Sequence, residues 1–408
     1  MNATPPALSA SLTRVLTATP HRLLFCIGAL NVLLAMGWWT SWLIATRWGL
    51  WTMAQPVAFA GWMHAIIMQY QVLPPFMFGF LLTTFPRWMN QPPMQRQHYI
   101  PVGVGLFGGQ ALTLAGVFGH PMALHLGIVL TIVGWSFGLF LLLGMIWREQ
   151  GRTWHAISCA AALTLGLAGL ICFAFYLHHP GQPLLAFAAI KFGGFGLLLP
   201  IFFTVNHRLI PFFANNVIKG YRPWRPMWLL AAMWAFTLAH LTLELAHAYG
   251  WLWLVDAPFA AMTAVMAWKW WGRGPALLTV LFAGFTWLPI ALTMYCAQSL
   301  WFAFTGDFAM GRAPAHALFI GYFGSLLVAM VTRVTQGHSG RPLELGAVAG
   351  FAFVALQVVA IVRISAEFVP DSYAVDAVAG VGWLLAFVPW VLRSAWIYLT
   401  PRADGKPG

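Results

Sequence analysis

The chain carries very little charge. Asp, Glu, Lys and Arg together make up 7% of its 408 residues, against about 25% in an ordinary soluble domain. So few charges cannot clothe a water-facing surface, which excludes a soluble globular fold. Acidic residues are the scarcest, nine against 21 Lys and Arg. The resulting net charge of +12 is not that of a nucleic-acid binder, because the basic residues stand singly between apolar runs rather than in one arm or patch. Only four cysteines occur, Cys26, Cys159, Cys172 and Cys296. All fall in apolar segments and none forms a CxxC pair, so they read as small core hydrophobes rather than disulfides or a zinc site. A CxxCH attachment motif is missing, and any haem is therefore held noncovalently. No GxxxxGK[ST] phosphate loop is present, which argues against an ATP-driven pump within this chain.

What the chain has is apolar length. Hydrophobic residues are 61% of the total, and they gather in runs long enough to cross a bilayer, about 20 residues each. In hydrocarbon every backbone polar group must be satisfied internally, so runs of this length predict helices. The expected spans are 23–46, 58–85, 100–118, 123–147, 156–177, 184–205, 226–247, 251–270, 276–298, 314–333, 343–364 and 375–399. The shortest is 100–118, and 251–270 is interrupted by Asp256 and Pro258. The fold class is thus an all-α polytopic bundle of about twelve spans over 21–400. A flexible tail over 1–20 precedes it and a short one over 401–408 follows. Charge orients the bundle. With both termini in the cytoplasm, seventeen of the 21 Lys and Arg fall on the inner side, only Arg47 and Arg312 on the outer, and Lys191 and Arg363 within spans. The expected location is a cytoplasmic (inner) membrane, with lipid as the first partner. Many of the 23 Trp, such as Trp48, Trp251 and Trp396, sit near span ends as an interfacial belt does. Pro74-Pro75 and Pro289 predict kinks.

Thirteen histidines are then the main chemical resource. His64, His247 and His316 fall toward the outer side on different spans, and His240 lies deeper in the seventh. Imidazole is a good ligand for iron, copper or zinc. It also serves as an ordinary interfacial hydrogen-bonding group, and both readings stand for each residue alone. In `HLTLELAH`, His240, Glu244 and His247 share one helix face. They form a ligand set, a shell orienting a ligand, or a packed polar group without chemistry. The spacing is not HExxH, which excludes that protease class. Glu244, Asp256 and Lys191 are intramembrane charges that need protein partners or an aqueous cavity. The `FGGFG` run at 192–196 reads as close packing. Arg333, His338 and Arg341 ring a glycine-bearing inner loop suited to an anion such as a haem propionate or a lipid phosphate, or serve topology alone.

Three blocks carry a family resemblance: `FGFLLTTFPRW` at 78–88, `RLIPFF` at 208–213 and `HALFIGYFGSLLVAMVTRVTQGHSGRPL` at 316–343. In these the chain resembles the NnrS family of membrane proteins. The resemblance implies about twelve spans, haem and copper as cofactors, and a role in nitric oxide handling or resistance to nitrosative stress, as in denitrification. His316, Arg333, His338 and Arg341 match the family pattern, and His64 corresponds to the first histidine of its `HAHE`-like motif. Here that stretch reads `HAII`, with Ile66 and Ile67 in place of a histidine and a glutamate. The resemblance fixes neither turnover nor the oligomeric state. Two other classes suit the residues: a transporter or channel for a small solute or metal, favoured by broken helices and intramembrane charge, and a noncatalytic assembly or regulatory subunit.

Overall fold

A computed structural model describes residues 12–405. The tail expected over 1–20 therefore lies outside the described residues as far as Ser11, and the one expected over 401–408 does so from Lys406 onward. Leu12–Leu16 forms a short helix. Just beyond it, the Arg96 guanidinium and the Tyr99 hydroxyl both donate to the Thr17 carbonyl, each at 2.8 Å.

Each expected span is helical. The helices are α1 (Pro20–Trp48), α2 (Ala60–Trp88), α3 (Arg96–Val117), α4 (Pro121–Arg148), α5 (Trp154–His178), α6 (Pro183–Val217), α7 (Trp228–Leu245), α8 (Trp253–Trp270), α9 (Ala276–Thr305), α10 (Ala313–Ser339), α11 (Gly346–Phe368) and α12 (Ser372–Leu399). Among the described residues, eleven of them are long and apolar enough to cross a membrane, and α8 is the exception. It has 18 residues and carries Asp256 in its first turn. The protein is thus a multi-pass integral membrane protein. Its outward faces agree: Leu126, Val129, Val133 and Phe140 make one exposed apolar stripe on α4, and Val354, Val358 and Ile361 another on α11. Stripes of this kind suit lipid and are untenable in water.

Two helices outrun their apolar segments. α6 continues to Val217 and α10 to Ser339, so the expected inner loop around His338 is mostly helix. Gly337 is tolerated inside α10 at a cost of about 1 kcal/mol. The helix ends where Gly340 takes the left-handed conformation (φ 69°) that favours glycine as a terminator. Only Arg341 lies beyond it.

Three helices, α2, α6 and α10, share an irregularity. Each contains a widened π-helical turn, at Met68–Val72, Phe192–Leu198 and Ala317–Gly324. In α2 the cause is legible. Pro74 and Pro75 have no N–H to give the carbonyls one turn back, and the freed Gln71 carbonyl accepts from Asn31 Nδ2 at 2.7 Å instead. The three widened turns meet: a Cβ on Gly193 would strike the Gln69 side chain, and one on Gly194 would touch Phe319. α2 and α10 are also the most thoroughly buried of the spans. α2 and α10 form the middle of the bundle, and α6, four spans from each, meets both at its widened turn.

Candidate functional site

A cavity of about 340 Å³ opens beside the widened turns of α2 and α10. Met68, Gln69 and Val72 line it from α2, and Phe319, Ile320 and Gly324 from α10. His64 and His316 lie on the helical turns just before those segments and border the same space. His64 stacks on Trp39, with ring centroids 4.5 Å apart and planes 11° from parallel. The His316 Nδ1–H donates to the Arg312 carbonyl at 3.0 Å. That bond fixes the tautomer and leaves Nε2 with its lone pair, the arrangement of an orienting partner behind a metal-binding imidazole. Ile66 and Ile67, where this chain departs from the family motif, are 0% and 1% exposed. They pack in the core and are not part of the cavity wall.

Charged side chains also border the cavity. Arg363 from α11 borders it, and contacts Glu367 at 2.9 Å and Asp376 at 3.0 Å. Arg312 joins the same two carboxylates at 3.2 and 3.9 Å. Lys191 borders this cavity and also a smaller one of about 200 Å³, lined by Tyr249, Tyr295 and Gln298. From Lys191 a buried chain runs inward. Its ammonium is 2.7 Å from Glu244. The second Glu244 oxygen is 3.5 Å from His240 Nε2, and His240 Nδ1 donates to Asp256 at 2.7 Å. Phe195 stacks on the imidazole at 3.7 Å. Breaking one partner out of a buried pair is costly, and here each charge has an opposite neighbour.

The candidate residues therefore separate into three places. His64 and His316 share the cavity. His240 and Glu244 belong to the buried chain with Asp256 and Lys191. His247 sits beyond the end of α7 at φ 53° and is 2.6 Å from the Tyr249 hydroxyl. No group of three or more His, Cys, Asp or Glu is arranged to hold a bare metal ion among the described residues. Arg333, His338 and Arg341 stand at the opposite end of α10. Arg333 lies over the Phe213 ring at 3.9 Å, His338 against His21 at 4.5 Å, and Arg341 reaches Thr400 at 3.4 Å. About 22 residues separate His316 from His338, roughly 33 Å of helix. Sequence reasoning missed Arg363, Trp39 and Trp383 as cavity residues. For Arg363 the available signal was its place as a lone arginine inside an apolar run. For the two tryptophans there was none among 23.

The family model described as NnrS protein matches residues 15–402. The chain belongs to the NnrS family. No curated protein matches it. The matched span contains every helix from α1 to α12 and thus the whole cavity.

Proposed function

We propose that this NnrS member would hold haem in the cavity between α2 and α10, with His64 and His316 as the residues that would bind it, in a bacterial inner membrane, for nitric oxide handling or protection from nitrosative stress. The carrying observation is that two imidazoles from different central helices border one cavity, one of them with its tautomer set for ligation. Among the described residues no third His, Cys, Asp or Glu joins them, and the proposal is confined to haem. When bound, haem iron supplies affinity for small diatomic ligands such as nitric oxide. The chain's own contribution is to orient His316 through the Arg312 carbonyl, to brace His64 on Trp39, and to wall the cavity with Met68, Phe319 and Ile320. The orientation that goes with this reading has both termini inside and twelve spans. α8 is then the twelfth, with Asp256 neutralised by His240.

His316→Ala and His64→Ala are the direct tests. Each should lower haem per chain and shift the Soret band while leaving membrane insertion intact, because the helices keep their apolar length. His98→Gln is the control. His98 accepts from the Gln95 N–H at the start of α3, a role glutamine can fill, and its haem content should equal wild type. Wild-type protein grown with ample haem but purified without a Soret band would overturn the reading. So would both alanine variants keeping a full complement with unaltered spectra. A solute flux through such haem-free protein would favour the transporter class, for which the Lys191 chain and widened helices are the supporting features.

A further inference from the structure

We infer that Arg363 and Trp383 form a carboxylate seat in the wall of the cavity, and that it anchors the propionate edge of the haem; the inference rests on the haem reading above. Both side chains are at least nine-tenths buried, at 7% and 6% exposure, and both line the cavity that His64 and His316 border. Arg363 uses Nε and Nη2 on Asp376 and Glu367. Its Nη1 is buried with no hydrogen-bond partner, and so is the indole Nε1 of Trp383. Buried donors are almost always satisfied, and an unsatisfied one asks for an explanation. Two such donors on one cavity, from the adjacent helices α11 and α12, call for an acceptor that the cavity's occupant brings.

The chemistry of that acceptor is narrow. Guanidinium and indole offer N–H groups only, so the occupant must present lone pairs. A carboxylate can accept from either donor, and its bond to the guanidinium is charge-assisted. The neighbouring carboxylates are already engaged: Glu367 and Asp376 take the Nε and Nη2 side of Arg363 and also meet Arg312. They hold the guanidinium in place with Nη1 left over. Haem fits this seat as a plain hydrocarbon would not, because it carries an apolar face for Met68, Phe319 and Ile320 and carboxylates at one edge.

The test pairs a protein change with a ligand change. Trp383→Phe removes the indole N–H while keeping an aromatic ring stacked on Phe387, a contact of 4.5 Å in wild type. Purified wild type and Trp383→Phe are stripped and reloaded with haem or with haem dimethyl ester, and the rate of haem transfer to apomyoglobin is measured. With free-acid haem, Trp383→Phe should release its haem several-fold faster and show a shifted reduction potential. With the dimethyl ester, which keeps carbonyl acceptors but loses the charge, wild type should already release faster and the variant's further acceleration should be smaller. Arg363→Gln should behave as Trp383→Phe does, more strongly. It also strands Glu367 and Asp376, so its folding is checked by size exclusion and the conclusion rests on the tryptophan variant. Equal release rates for wild type and Trp383→Phe with free-acid haem overturn the seat while leaving His64 and His316 ligation standing. An equal acceleration with both haems also overturns it, since that marks a general loosening. Wild type that takes up neither haem removes the haem reading and the seat together.

Discussion

Lys191 stands out among the single residues of the bundle because it serves two surfaces. Its ammonium closes the buried chain through Glu244, yet the side chain borders both cavities and is 22% exposed. Lys191→Met should leave Glu244, 4% exposed, without its cation. Removing one member of a buried pair typically costs about 3–5 kcal/mol, and the lower end is expected here because water in the cavities can reach the site. Unfolding in detergent, followed by tryptophan fluorescence, should show a clear fall in apparent midpoint. Glu244→Gln in the same chain should recover part of it, since His240 still has Asp256. A Lys191→Met protein as stable as wild type would mean that Glu244 does not depend on this ion pair. The sequence marked Lys191, Glu244 and Asp256 as charges needing partners, from their apolar surroundings alone. It did not show that His240 stands between two carboxylates, because Asp256 comes from another helix and the pairing exists only after α7 and α8 pack.

At the scale of elements, helices α3 and α4 approach so closely that only glycine fits between them. A Cβ on Gly105 would collide with the Gly134 backbone and the Leu130 carbonyl. Without a hydrophobic drive between helices in lipid, close backbone packing is a main source of their association. Gly105→Leu should therefore separate the pair and cost at least the upper part of the roughly 1–3 kcal/mol usual for overpacking. Gly37→Leu on α1, where an added Cβ meets nothing within 4 Å, is the matched control and should be near neutral. Equal stability of the two variants by detergent denaturation would refute the packing argument. Helices were the most readable part of this protein, since apolar runs of about 20 residues leave few alternatives. Their inner ends were not: hydropathy stops near Arg208 and Arg333, but a helix of polar residues continues if its caps allow. The widened turns were half readable. Pro74-Pro75 announced a break in α2, and the glycines at 192–196 announced close contact in α6. Ala317–Gly324 carries neither sign strongly enough.

For the whole molecule, the charge bias gives a direct prediction. In a background with the native cysteines replaced, Gln97→Cys and Lys219→Cys should resist a membrane-impermeant maleimide added to intact cells, whereas Asp307→Cys should react. All three positions are exposed, so failure to react reports the side of the membrane rather than burial. Labelling of Lys219→Cys from outside with protection of Asp307→Cys would invert the bundle. The three widened turns have their own consequence at this scale. A π-helical turn holds a residue more than the α-helical turn it replaces, and each α-helical residue advances the face by about 100°. The halves of α2, α6 and α10 on either side of these turns are thus keyed to different rotational settings. Deleting Gln69 would let α2 relax toward a regular helix. Everything on one side of the deletion would then turn by about 100° against the other, swinging His64 away from the cavity or Phe76 away from Phe25, a ring pair now 5.7 Å apart. The extra residue works as a spacer: it lets one half of each rod turn His64, Lys191 or His316 toward a cavity while the other half keeps its own packing register.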